Sequence, residues 1–233
     1  MNFLINEIKL NFIDDNRYRY ILKGLGNTLI ITTLALVIGI IIGFLVGIIR
    51  AVNEKEKNLN PFFKLLNKIC IYYITIIRGT PVMLQLLIMY LGVFAIPGFP
   101  TIIVASLTFG INSGAYVAEI VRSGIMSIDD GQMEAARSLG MPFVTAMRYI
   151  IVPQAFKNIL PALGNEFIAL LKETSICGYI GLMDLTRGGE IIRSNTFSIW
   201  TPLLAVALVY LLIVLILTKL IKLMEGALRK NEK

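Results

Sequence analysis

Residues Gly24 to Ile49, GLGNTLIITTLALVIGIIIGFLVGII, run for 26 positions without a charge. About 20 apolar residues carry a helix across the hydrocarbon core of a bilayer. The pattern recurs: Gly79 to Ala118 is charge-free for 40 residues and Ser194 to Thr218 for 25. Of the 233 residues, 56% are apolar and 16% charged, with a mean hydropathy of +0.76. Soluble domains average about a quarter charged. The windows predict an all-α polytopic membrane protein, a single transmembrane domain over 1–233.

Composition removes several function classes. The chain has no histidine, which excludes imidazole metal sites and Ser/His or Cys/His catalysis. Its two cysteines, Cys70 and Cys177, lie in separate apolar segments and read as buried free thiols. No Gly-x-x-x-x-Gly-Lys-Ser/Thr loop is present, so the chain does not cradle a nucleotide phosphate itself. No catalytic residues, metal site or cofactor of its own are expected. The net charge of +7 is spread along the flanks of the apolar segments. That distribution fits a positive-inside bias and no nucleic-acid partner.

Five spans are expected. The first is Leu25 to Ile49. Pro61 restarts a helix that is interrupted at Arg78-Gly79-Thr80-Pro81 and resumes as far as Ala95, a broken second span, before a turn at Pro97-Gly98-Phe99-Pro100. The third is Thr101 to Ser123, the fourth Leu160 to Met183, and the fifth Ile199 to Ile221. Residues 1–23 carry mixed charges and read as an amphipathic entry segment on the membrane surface, not a secretory signal. Thr186 to Asn195 reads as a polar loop and 222–233 as a basic tail. With five spans, fourteen Lys and Arg fall on one side and six on the other. The fourteen predict that the 124–157 segment and the C-terminus face the cytoplasm and the N-terminus faces outside. Neither an internal repeat nor inverted symmetry is visible, against the pattern of many secondary transporters.

The 124–157 segment is longer than a connection requires. Asp129 and Asp130 stand where a helix would begin. Ala135 and Ala136 are small enough to let another surface approach. Gly140 ends that helix, and Met141-Pro142 opens a second carrying Phe143, Met147, Ile150 and Ile151 before Pro153 breaks it. A cytoplasmic helix–turn–helix with exposed small and apolar residues is predicted.

Glu134-Ala135-Ala136, Gly140 and Ile150-x-Val152-Pro153 resemble the Glu-Ala-Ala loop of ABC importer membrane subunits, with valine where that pattern has leucine. Gly24-Leu25-x-x-Thr28-Leu29, Arg78-Gly79-Thr80-Pro81, Ala115-Tyr116-x-Ala118-Glu119-Ile120-x-Arg122-x-Gly124-Ile125 and Lys172-Glu173-Thr174-Ser175 are similar to its polar amino-acid permeases. The resemblance implies a subunit of a prokaryotic cell-membrane importer, without catalytic activity. It also implies partner ATPase subunits that bind ATP, an extracytoplasmic amino-acid-binding protein, and a second copy or homologous permease. Glu134, Ala135, Ala136, Gly140, Met141, Pro142, Phe143, Ile150 and Pro153 would seat on the ATPase. An ion-coupled secondary amino-acid transporter is the alternative.

Charged groups inside spans cost about 2.5–3.5 kcal/mol each on insertion scales, so each asks for a reason. Asn112, Tyr116, Glu119 and Ser123 share a helical face, as do Glu166 and Glu173. Lys172 and Asn165 share a neighbouring face, and Ser113 adjoins Asn112. One reading is a polar chamber for an amino acid. Arg78 and the Gly79–Thr80 backbone would take the carboxylate, Glu119 the ammonium and Glu173 a basic side chain, with Gln85, Asn112, Ser113, Tyr116, Lys172, Thr174 and Ser175 completing the lining. The other reading is a network of ion pairs and hydrogen bonds that packs the helices, with Glu119 and Arg122 near the cytoplasmic mouth.

Overall fold

The structure is a computed structural model that describes residues 2–56 and 60–230. Met1, Lys57 to Leu59 and Asn231 to Lys233 lie outside the described residues, with the small parts of the entry segment, the 50–60 connector and the tail that they make up. Every regular element among the described residues is helical, as the charge-free windows predict.

Helix α1 (Asn2–Ile8), a π-turn (Lys9–Ile13) and a 3-10 turn (Asp14–Asn16) precede α2 (Tyr18–Lys55). At about 1.5 Å per residue, the 38 residues of α2 span ~57 Å, well beyond a bilayer core. Helix α3 (Pro61–Gly79) opens with Pro61 in its first turn and the Asn60 side chain accepting from Phe63 N–H. It stops where the sequence places the break. Thr80 precedes Pro81 and is extended, as that position requires. The Thr80 hydroxyl donates to the Ile76 carbonyl left over by the helix end. Helix α4 (Val82–Ile88) then resumes into a π-turn (Met89–Val93). Helix α5 (Thr101–Met126) follows, then α6 (Asp130–Ser138), α7 (Phe143–Ala146), a π-turn (Met147–Ile151), α8 (Val152–Glu173) and a 3-10 stretch (Thr174–Ile180). Helices α9 (Leu185–Thr196) and α10 (Trp200–Lys230) complete the described chain.

Three of these helices, α2, α5 and α10, are each long and apolar enough to cross a membrane, and the α3–α4 broken pair makes a fourth candidate. The expected Leu160–Met183 span is not among them. Its helical part, α8, carries Lys157, Glu166, Lys172 and Glu173 and is less apolar on average than α2, α5 or α10. Two local expectations are corrected. Thr186–Asn195 is no loop: Asp184 caps it by accepting from the N–H groups of Thr186 and Arg187, at 3.0 and 3.2 Å, and α9 forms. Pro153 breaks no helix. It sits in the first turn of α8, just after the π-turn, where its missing N–H costs no ladder bond and the widened turn accommodates the ring.

The residues divide into two compact units. One comprises Met1–Leu36, Pro81–Gly110 and Phe167–Leu217. Its core gathers Ile31, Ala35, Leu86, Ala105, Phe109, Leu170 and Cys177. Here α2 is stapled to the start of α9. The Asn27 amide donates to the Met183 carbonyl at 2.7 Å and the Leu185 N–H donates to the Thr28 hydroxyl at 3.1 Å. Gly24 meets the Asp184 carbonyl so closely that no side chain fits. The entry segment turns its polar face inward. Ser198 and Thr201 hydroxyls donate to the Glu7 carboxylate, and the Thr196 hydroxyl donates to buried Asn11. Ile5, Ile8 and Ile13 are exposed.

The other unit comprises Val37–Thr80, Ile111–Glu166 and Thr218–Lys233. Gly39, Gly43 and Gly47 recur every fourth residue on α2, and their Cα atoms press against Ser113, Val117, and Ala118 with Val121 of α5. Small residues at that spacing let helix backbones approach closely. Ala51, Val121, Ile125, Ile151, Ala155 and Ile159 form the neighbouring core.

Candidate functional site

Within the second unit, α5 and α8 place two polar residues in contact through their apolar surroundings. The Ser113 hydroxyl, fully buried, donates to Glu166 Oε1 at 2.7 Å. Arg78, at the end of α3, lies over the Tyr116 ring with its guanidinium carbon 5.0 Å from the centroid. Arg78 is also within electrostatic reach of both Glu166 and Glu119. Buried Asn112 precedes Ser113. The Tyr73 hydroxyl donates to the Ile111 carbonyl at the same stretch of α5. Half-buried Glu166 and exposed Arg78 are thus each held by a neutral partner instead of by a direct bond to the other. That arrangement presents both charges that a zwitterion needs.

Glu119 is differently engaged. Arg122, one turn away, donates to both its carboxylate oxygens, and reaches Glu54 of α2 at 2.9 Å. Arg50 pairs with the same Glu54 at 3.0 Å. This knits α2 to α5, which is the packing role weighed for Glu119. Ser123 is exposed, its hydroxyl donating to the Ile120 carbonyl.

Thr80 is exposed in the second unit, and the remaining expected residues lie in the first. Gln85 is half-buried on α4 and Lys172 is exposed at the end of α8. Thr174 is fully buried, its hydroxyl donating to the Leu171 carbonyl, while Glu173 and Ser175 are half-buried. Glu166 and its Ser113 partner were visible in sequence only as separate polar residues. Nothing in a 53-residue separation announces the bond between them. Among the described residues, no group of three or more Cys, Asp or Glu side chains is placed to hold a metal ion.

The 124–157 segment is built as its local chemistry dictates. Asp129 Oδ1 accepts from Gly131 N–H at 2.7 Å and starts α6. Gly140, at φ +81°, ends it. Its N–H donates to the Arg137 carbonyl and Met141 N–H to the Ala136 carbonyl, the paired bonds of a left-handed helix stop. Lys55 of α2, its side chain nearly buried, pairs with Asp130 at 2.7 Å and holds the Asp130 carboxyl below its usual range. Glu134, Ala135, Gly140, Pro142 and Pro153 are exposed, and Met141, Phe143 and Ile150 are half-buried. Ala136 faces inward at 2% exposure, not outward as its size suggested. The α-helical period turns it to the core when Ala135 faces out. The large exposed apolar side chains are instead Leu139 (84%), Val144 (74%) and Tyr149 (65%). Apolar residues in an otherwise polar segment were the signal that could have found them.

Residues 35–230 match the family described as binding-protein-dependent transport system inner membrane component. The arginine transport system permease protein ArtQ of Bacillus subtilis strain 168 is 39% identical over 215 residues, covering 91% of this chain and 94% of its own. The glutamine transport system permease protein GlnP of Escherichia coli strain K12 is 37% identical over 174 residues, covering 71% and 77%. Among solved structures, a chain from the crystal structure of an amino acid ABC transporter with histidines superposes with a TM-score of 0.82 at 42% identity, covering 90% of this chain and 94% of that one.

Proposed function

The chain belongs to the binding-protein-dependent transport system inner membrane components and is a non-catalytic permease subunit of an amino-acid ABC importer; from that premise we propose that Glu166, Arg78 and Tyr116 handle a polar or basic amino acid during its passage. The relatives favour this class over an ion-coupled secondary transporter. The observation that carries the proposal is the pairing at 2.7 Å between Glu166 and a neutral hydroxyl, with Arg78 held on an aromatic face nearby. A carboxylate buried beside its own counter-ion would be closed to a ligand. One held by Ser113 keeps lone pairs for an ammonium or guanidinium, and Arg78 keeps donors for a carboxylate. Asn112 supplies further polar lining, and Thr80 and Gln85 complete the set expected on the broken span. Lys172, Glu173, Thr174 and Ser175 are assigned to the same pathway on the other unit.

The N-terminus faces outside and the C-terminus inside, as the lysine and arginine bias argues. Residues 1–23 form the entry segment, 124–157 the coupling loop and 222–233 the cytoplasmic tail of one transmembrane domain. Two such subunits, identical or homologous, flank the pathway. An extracytoplasmic protein delivers the amino acid, and ATP binds on partner ATPase subunits. Those subunits receive the Glu134–Pro153 loop, to which Leu139, Val144 and Tyr149 add apolar contact area. ATP can shift the permease between conformations only through contacts that differ between them, and this loop is the place for those contacts.

Uptake by the reconstituted complex tests the reading, with L-arginine and L-glutamine as labelled probes. Glu166→Gln should lower uptake of at least one probe about tenfold or more, while ATPase subunits still co-purify. Unchanged uptake of both returns Glu166 to a packing role.

A further inference from the structure

Beyond the cluster at Glu166, the first unit holds a second constellation, of which Ser175 alone is assigned to the pathway above. A cavity of about 160 Å³ is lined by Ser175, Gly178, Tyr179, Thr186, Arg187 and Glu190. This is below the roughly 300–1,000 Å³ of sites for drug-sized ligands and suits only a small molecule. Arg187 Nη1 and Glu190 Oε2, one turn apart on α9, meet at 3.0 Å in its lining, with 47% and 41% of their side chains exposed. The pair is not needed to hold α9. That helix is capped by Asp184 and seated by Gly188, whose Cα side abuts the Tyr20 carbonyl. Exposed pairs of this spacing contribute little to stability. Two opposite charges, the Ser175 hydroxyl and an exposed tyrosine ring converge there, beside a Thr186 hydroxyl that also bonds Asp184.

The cavity does not stand alone. Ser175 and Thr186 also line a larger one of about 310 Å³ that contains Lys172, Tyr210 and the apolar Leu203, Val206 and Ala207. The same two hydroxyls therefore border both spaces, a run of polar groups from Arg187 and Glu190 to Lys172.

We propose that the Arg187–Glu190 cavity is a second binding site, an entry subsite for a free α-amino acid. The amino acid's carboxylate replaces Glu190 on Arg187, and its ammonium replaces Arg187 on Glu190. In the empty state the two side chains satisfy each other. When occupied, each keeps a charge-assisted bond, and the ligand exchanges bonds with water for two of them. Gly178 forms a wall of the cavity: a Cβ there meets Arg187 Cβ and Cδ at 3.5 Å, an ordinary contact, and larger side chains would fill the space. The inference rests on the amino-acid cargo proposed above and adds a site on the other unit.

The test is equilibrium binding of labelled L-arginine and, separately, L-glutamine to the purified complex with its ATPase subunits but without the binding protein. Glu166→Gln should remove one class of site and leave another. Arg187→Ala and Gly178→Val, each combined with Glu166→Gln, should weaken the remaining class at least tenfold for the probe that binds. Arg187 and Glu190 are exposed, so Arg187→Ala retains the fold, and a charge-reversed Arg187→Glu/Glu190→Arg pair should restore part of the affinity. Absence of a second class in Glu166→Gln protein, or its persistence unchanged in both double variants, overturns the subsite. Failure of the Glu166 reading shows separately, as uptake indifferent to Glu166→Gln.

Discussion

The Ser113–Glu166–Arg78–Tyr116 cluster and the Asp130–Ile151 loop break the same rule in opposite directions. The cluster draws the Glu166 carboxylate onto the buried Ser113 hydroxyl in an apolar helix bundle, with exposed Arg78 over the Tyr116 ring nearby. The loop pushes Leu139, Val144 and Tyr149 out of a polar segment. In each place the chain keeps an arrangement that costs free energy in isolation. Buried charge loses hydration, and exposed large apolar surface keeps its contact with water. The two regions differ in what they lack: the first lacks a small charged ligand, the second an apolar protein surface.

Leu139→Asp should separate them most sharply. An apolar anchor at the centre of an interface is worth on the order of 2–4 kcal/mol, so ATPase co-purification should fall ~30–1,000-fold. Amino-acid binding to the permease should be untouched. Retention of the ATPase at wild-type levels would remove Leu139 from the interface. Gly140→Val attacks the same loop through its backbone. At φ +81° a β-branched residue is strained by about 1–2 kcal/mol, and unaltered uptake would show that the turn need not hold its shape.

Glu166→Gln comes next and inverts the pattern. A lost charge-assisted bond of about 1.5–3 kcal/mol lowers uptake ~10–100-fold with docking intact. Ser113→Ala, which removes the hydroxyl that donates to the carboxylate while preserving its charge, should have the smaller effect on uptake. Equal losses in the two variants would argue that packing, not charge, is what matters.

Gly43→Leu touches neither region directly. Its side chain would drive α2 off Val117 of α5, costing about 1–3 kcal/mol. A lowered thermal midpoint in detergent is expected, and an unchanged midpoint would mean the helices already have slack there. The mildest change should be Lys55→Gln, which removes the tie to Asp130. Because Lys55 holds the Asp130 carboxyl below its ordinary value, the pair contributes above that value. It is lost only as pH falls through the lowered pKa, well under neutrality. Coupled ATPase activity should therefore drop a few-fold at neutral pH without changing shape over pH 6–8. A variant that titrates in that window would implicate another group.

What could be read in advance followed local chemistry. Asn60, Pro61, Thr80, Pro81, Asp129 and Gly140 act on their own backbone or on residues within five positions, and all fall at helix starts or stops as their types demand. Pro153 and the 186–195 segment were misread because the deciding features were not local composition. A π-turn before Pro153 accommodates its ring, and Asp184 with Gly188 and Gly189 makes a helix of a polar stretch. In the candidate site, each residue type was visible, but Glu166 stood among four charged residues of α8 with no mark setting it apart.

By itself the sequence determined that the chain lives in a membrane, that its backbone is helical, where its second span breaks and which loop carries the coupling pattern. Those properties depend on runs of like residues and on short-range caps, which neighbours in sequence supply. Only the tertiary structure decided which polar side chains meet: Ser113 with Glu166, Arg78 with Tyr116, Arg122 with Glu54, and Ala136 turned inward while Leu139 remained outside. Helix rotation and approach set those pairings. They are fixed by contacts between residues far apart in the chain, such as Gly39, Gly43 and Gly47 against α5, whose closeness no local pattern encodes.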